Sequence, residues 1–538
     1  MRIIFIITSL FVINFLLYSQ VNQEWIAIYN GPSDSADYVN SMKTDASGNV
    51  YIIGSSRGSG TFLDYCTVKY NSSGIQQWVA RYNGPGNAND YPKALAIDSY
   101  GNVYVTGNSV GTGTGNDILT VKYNSSGVQQ WTQRFNGSGS NGDDATAIVL
   151  DQEGNVYITG CALISGLFPD YCTIKYNPSG IQQWISFYNG PNNDFDYANS
   201  IALDGSGNVY ITGKSKAMGT FDYCTVKYNG SGVFQWAQRY TSASDYDDVA
   251  KVIKVGNNDD ILVTGSIRTY QTDYDYCTIK YNSSGVQQWL KTYNGPENGN
   301  DNATDLKIDD QGNVYVTGVV AGDFCTIKYN ITGVQQWLIR YNGPGNGNDI
   351  ANSIAIDQQE NLYVCGKSKG TNSGYEFCTI KYNSSGVQQW VQRYTGQGYG
   401  GGDGMSVVVD TFLNVYVSGS DFNSALNSFD FCTIKYTQQV GLTPISIEIP
   451  NKYFLSQNYP NPFNPSTLIE FSIPKNNVHI RLSVYNVTGK LITILLDEKL
   501  NAGTYKVNFV AENLSTGVYF YKMETGDFIE SKKMVKIK

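Results

Sequence analysis

The residues of this chain with most scope for chemistry are carboxylates that recur at matched positions. Asp37, Asp90, Asp143, Asp196, Asp247, Asp301, Asp349 and Asp403 form one series, set among Asn and Gly in stretches such as NGPGNGND. Asp64, Asp117, Asp170, Asp222, Asp275, Asp323, Glu376 and Asp430 form a second. Acids beside free carbonyls suit calcium, a hard cation that takes roughly six to eight oxygen ligands. The sequence has no EF-hand or RTX-like spacing, so a structural role competes, in which each Asp fastens the amides of its own loop. Calcium at the first series is therefore one expectation beside the other, and no further cofactor is implied.

Nucleophilic catalysis lacks a base here. The single histidine, His479, lies outside the repeats, which removes Ser-His-Asp, Cys-His and histidine-based metal sites from consideration. Glycoside cleavage by two carboxylates stays chemically open, because Asp194, Asp273, Glu297 and Asp421 are loop acids that the repeats do not all share. A lysine also recurs in every CTIKY-like strand, from Lys69 to Lys435, and an acid ends the preceding apolar strand, as in Asp45 and Asp98. These are expected to be structural ion pairs, with Val255 diverting Lys280 to Asp259 or Asp260. The net charge of -9 opposes a nucleic-acid partner, whose binding needs clustered Lys and Arg.

What must position these groups is a repeat. Trp25, Trp78, Trp131, Trp184, Trp236, Trp289, Trp337 and Trp390 recur at intervals of 48 to 53 residues. That period matches one four-stranded sheet per unit, as in a propeller blade. Within a unit, ANSIAID, LYVCG, FCTIKY and VQQWVQRYTG give strands A to D, separated by Gly, Asn, Asp and Ser turns. Residues 23 to 30 resemble a fourth strand with no first three, and residues 405 to 436 supply three without a fourth. Their pairing predicts an all-β fold, an eight-bladed propeller closed by the N-terminal strand. The recurrent Trp and Tyr are expected to pack between blades, and the NSSG sequences to be turns in preference to glycosylation sites. The A-to-B and C-to-D turns are nearly uniform. The D-to-A and B-to-C loops vary, which makes their face the expected place for function.

Seven of the nine cysteines occupy one strand slot, where repeat two has Leu119, and read as apolar filler. Bridges Cys365–Cys378 and Cys161–Cys172 remain open. Residues 1–19 have the layout of a cleaved export signal, and no other apolar run is long enough to span a bilayer, so the mature chain is expected to carry no transmembrane segment.

The AIDSYGNVYVTG and LDGSGNVYITG sequences resemble the bacterial β-propeller repeat family of exported proteins. After residues 20–440 and a linker at 441–452, residues 453–538 change to short alternating strands, a small immunoglobulin-like β-sandwich of seven strands. Their motifs resemble the C-terminal sorting domain of the type IX secretion system. Tyr459, Pro460, Asn461, Pro462, Phe463 and Asn464 match its first motif, and Gly517, Val518, Tyr519, Lys532, Lys533 and Met534 its last. The resemblance implies the type IX machinery as partner and a secreted or outer-membrane-surface location. The expected function is a non-enzymatic scaffold that offers an acidic loop face to a glycan or protein, with a polysaccharide-active enzyme or a structural adhesion component as alternatives.

Overall fold

The computed structural model describes residues 21–537 apart from 139–141, 165–166, 218, 244–245, 297, 397–400, 439–442, 447–449 and 512–513. The export signal expected at 1–19 and the loop acid Glu297 lie outside the described residues.

Strands form where β-branched and aromatic residues run between Gly, Asn and Asp turns. In blade one they are A (Asp37–Thr44), B (Val50–Arg57), C (Leu63–Tyr70) and D (Gln76–Tyr82), paired in that order. Strand B is buried along nearly its whole length because neighbouring blades cover both of its faces, whereas strand D exposes its leading Gln residues. Eight sheets of this kind are present between Gln23 and Thr437. In the eighth, Gly402–Val409, Val415–Asn423 and Ser428–Gln438 are completed by Val21–Tyr29, as the fragment argument predicts.

Strand A packs on strand A of the next blade all round the ring, including the last blade on the first. A β-bulge follows the second or third residue of strand A and turns the extra side chain toward the neighbour. Thr146, Asn199 and Thr304 use that position to donate to Ala198 O, Ala250 O and Ala351 O at 2.7–2.9 Å. At the closing seam the Val39 N–H donates to Ser420 Oγ at 3.0 Å.

Farther out, each Trp is a stitch between blades. Trp25 Nε1 donates to Ser72 O at 3.1 Å and Trp78 Nε1 to Ser125 O at 3.0 Å, each reaching the C-to-D turn of the next blade. This explains the glycine of NSSG: Gly74 has φ 79°, and a Cβ there would meet the Trp25 ring at 2.7 Å. The Asn that opens the turn is equally occupied, since Asn71 Oδ1 accepts the Ser73 and Ile75 N–H groups.

The expected lysine–aspartate pairs are corrected by the same geometry. Asp45 accepts the Ser47 and Asn49 N–H groups, the Asn49 amide and the Tyr51 hydroxyl, so its lone pairs are filled within its own turn. Lys69 instead lies 4.9 Å over the Tyr51 ring and donates to Ser125 O, the carbonyl that Trp78 also uses. Lys280 does pair with Asp260 at 2.7 Å, as expected for the blade that carries Val255, while Lys328 pairs with Glu360 at 3.6 Å and Lys435 with Glu24 at 2.9 Å.

All nine cysteines are buried thiols. Cys365 lies opposite Thr379 while Cys378 lies opposite Gly366, a one-residue offset that sends the two side chains to opposite faces of the sheet. Cys161 and Cys172 are offset in the same way.

The second unit, from Gln438 onward, has two four-stranded sheets where seven strands were expected. One orders Thr443–Ser446, Gly503–Val510, Ser466–Ile473 and Phe454–Leu455; the other orders Leu491–Leu500, Val478–Asn486, Gly517–Glu524 and Ile529–Lys536. Thr443–Ser446 falls inside the segment expected as linker, so the sheet begins before residue 453. Phe463, Phe471, Leu482, Tyr521 and Met534 share one core between the two sheets.

Candidate functional site

The first acidic series is built into its loops. Asp37, Asp90, Asp143, Asp196, Asp301 and Asp349 are each no more than 1% exposed. Each accepts the backbone N–H of the residue six before it, Gly31 and Gly84 at 2.6 Å, with Gly137, Gly190, Gly295 and Gly343 alike. In several blades the other oxygen accepts an N–H at the end of strand B, as from Leu163 and Lys369 at 2.8 Å. The carboxylate therefore clamps the D-to-A loop to strand B. Burial pushes Asp37 up to about 6 despite its hydrogen bonds.

Two members of the series are displaced. In repeat five the clamp is Asp248, which holds Ser242 N–H at 2.6 Å, whereas Asp247 accepts from the Phe221 N–H. In the last repeat Gly402 fills the aspartate slot and the acid moves across the strand pair to Asp421, whose carboxylate packs against Gly396. Asp403 is one position further along and pairs with Lys367 at 3.2 Å. A constant six-residue step from the loop Gly, or from Ser242, is the signal that identifies Asp248. Among the described residues no group of three or more His, Cys, Asp or Glu is placed to hold a metal ion.

The second series meets arginine from strand D. Arg81–Asp64, Arg134–Asp117, Arg239–Asp222, Arg340–Asp323 and Arg393–Glu376 pair at 2.6–3.3 Å. Three blades have Phe187, Thr292 or Ile28 in place of that arginine. There burial raises Asp275 and Asp430, and brings Asp170 to about 6. Of the loop acids, Asp194 pairs with Lys216 at 3.4 Å, Asp273 with Arg268 at 3.2 Å, and Asp421 is buried.

The varied face does carry a pocket, between blades three and four, with a volume of about 560 Å³. Its aromatic wall runs through Phe195, Tyr197 and Phe221, with Phe168 4.5 Å behind Phe195. Lys214 Nζ rests 4.3 Å from the Phe221 ring and 5.2 Å from Tyr197, and Lys216 lies 5.4 Å over Phe195. The opposite wall is Asp144 and Cys161. Burial raises the Asp144 carboxyl and pushes the Cys161 thiol up to about 12, so the thiol is no nucleophile. Asp144 Oδ1 is buried without a hydrogen-bond partner. None of the pocket's aromatic or lysine side chains was singled out by sequence. The signal was departure from the repeat: Asp144 stands where blades one, two and four have Tyr38, Tyr91 and Tyr197, and VYITGKSKA carries two lysines in strand B.

In the second unit the two sequence motifs meet. Asn461 Oδ1 accepts the Val535 N–H at 2.9 Å, its amide donates to Lys533 O at 3.2 Å, and Phe463 is buried against Phe509 at 6.0 Å. Pro460 O accepts from Thr467 at 2.8 Å, Tyr519 donates to Ser515 O at 2.9 Å, and Val518 lies opposite Val535. Tyr459 and Lys533 are left exposed on this patch, and Lys532 pairs with Glu530 at 2.7 Å.

Comparison with known proteins agrees with both units. Residues 457–538 match the secretion system C-terminal sorting domain, and residues 77–113, 183–217 and 336–372 match the beta-propeller repeat. The sorting domain implies export and a secreted or cell-surface location. No helix among the described residues is long and apolar enough to cross a membrane. No curated protein matches the chain. Among solved structures, a fungal alcohol oxidase in complex with copper is 10% identical, covers 97% of this chain and 100% of its own, and has a TM-score of 0.39. Drosophila Plexin A in complex with Semaphorin 1b is 9% identical over 77% of this chain and 88% of its own, with a TM-score of 0.38. Likeness at this level says nothing of activity.

Proposed function

We propose that this chain is a non-enzymatic binding scaffold, delivered outside the cell by the type IX secretion machinery, that holds an acidic glycan through its varied loop face. The observation that carries the reading is the pocket between blades three and four. A volume of about 560 Å³ is the size of a small-molecule or saccharide site. Lys214 is held in place by two rings and by no carboxylate among the described residues, which leaves its ammonium free to meet an anionic substituent. Six of the eight acids expected to face the ligand are buried in loop clamps, and the accessible chemistry of this pocket is cationic and aromatic.

The test is a binding panel of acidic polysaccharides, neutral polysaccharides and matrix proteins with the full chain. The expected result is selective retention of an acidic polysaccharide, weakened about tenfold by Lys214→Ala, the loss of one charge-assisted contact of about 1.4 kcal/mol. Binding confined to a matrix protein would overturn the glycan assignment. Release of reducing ends would support the two-carboxylate enzyme instead. The clamps also bear on calcium: a chelator is expected to leave the melting temperature unchanged, and a fall would place calcium at the acidic series.

A further inference from the structure

The innermost strands hold a second cluster of charge, remote in kind from the loop-face pocket. Six residues after the clamp position, strand A carries Lys43 in blade one, Lys254 in blade five and Lys307 in blade six, where the other blades have Ala or Val. The shared register puts the three lysines at one level of the ring. Blades one and five stand opposite each other in a closed ring of eight, so the mutual repulsion of Lys43 and Lys254 acts across the central channel. Lys43 is surrounded by protein yet reached by water, as a side chain in a narrow pore must be.

One carboxylate serves this cluster. Asp305 lies 3.6 Å from Lys307 Nζ, and its Oδ2 also accepts the Ile354 N–H at 3.1 Å. Lys43 and Lys254 have no ion-pair partner among the described residues. Lys251, on the same strand as Lys254, adds another enclosed ammonium. Enclosed like charges raise one another's free energy unless an anion is shared between them.

We propose that the central channel binds a small oxyanion, clasped by the ammonium groups of Lys43, Lys254 and Lys307. Phosphate, sulfate and the carboxylate of a uronic acid share the chemistry, which is several acceptor oxygens on one negative centre. Burial and the charges of Lys307 and Lys43, only partly countered by Asp305, bring Lys254 down to about 8. An anion there favours the charged form, so binding above that pH takes up a proton.

The experiment is calorimetric titration of the full chain with inorganic phosphate, sulfate or galacturonate at fixed ionic strength. One saturable site per chain is expected, weakened tenfold or more in Lys43→Met and in Lys254→Met and untouched by Lys214→Ala. The galacturonate arm separates an inorganic ion from the acid group of a sugar. Absence of saturable binding by all three anions overturns the proposal, as does binding that survives both methionine substitutions. Should those variants fail to fold, the wild-type chain labelled at lysine Cε decides: one resonance must titrate near pH 8 and shift upward with phosphate. A lysine spectrum indifferent to phosphate overturns it equally.

Discussion

A carboxylate such as Asp37 does structural work by being held where ionisation is costly. Asp37, Asp170 and Asp248 are each raised to about 6, first by burial. When unfolded, such groups ionise near 4, about the ordinary aspartate value. Between those two values the folded chain binds more protons, so this contribution is complete below about 4 and is lost as pH rises through about 6. The melting temperature is therefore expected to be higher at pH 5 than at pH 7, measured by calorimetry; a monotonic rise toward neutrality would contradict it. Asp170 gives a finer test, because its blade has Phe187 where five others have arginine. Phe187→Arg is expected to stabilise the chain by about 1 kcal/mol at pH 7 and to shrink the advantage of pH 5. The acids themselves were visible in sequence. Their partners were not, because each clamp joins an aspartate to amides brought near by the fold, and in DYDD two adjacent aspartates leave the alignment ambiguous by one.

The N-terminal strand Val21–Tyr29 is the element on which closure depends. It completes the eighth sheet, and Trp25 crosses the seam to Ser72 and Gly74 of blade one. Trp25→Ala is expected to cost about 2 kcal/mol through lost packing and the lost indole hydrogen bond, although Ser72 O keeps the Lys435 ammonium. Deleting the strand should do more, exposing the edge of Ser428–Gln438 and hastening hydrogen exchange there above all. Uniform exchange across the eight sheets after the deletion would speak against a closed ring. Closure was legible because one orphan strand and one three-stranded remnant fitted together. The lysine stack was misread because side-chain types alone do not reveal that Asp45 is already saturated by its own turn while Lys69 finds a ring and a neighbour's carbonyl.

Taken whole, the propeller has one face fixed by the fold and one free to vary. Uniform turns serve the Trp and Lys stitches, which every blade needs. The pocket arises where blades three and four break the pattern, and it escaped notice in sequence because Phe168, Phe195 and Phe221 come from three different loops or strand ends. The sorting motifs were plain because each is local in the chain; that they form one patch through Asn461 and Val535 was not. Since every native cysteine is a buried thiol, a single added one can report which face binds. Leu167, 84% exposed beside the pocket, and Tyr100, 83% exposed on the A-to-B turns, are suitable sites. Leu167→Cys and Tyr100→Cys, each carrying a bulky maleimide polymer, should be compared for retention of acidic polysaccharide. Loss of binding with the polymer at 167 and full binding with it at 100 is the predicted result; the reverse, or equal binding by both, would contradict the assignment of function to the loop face.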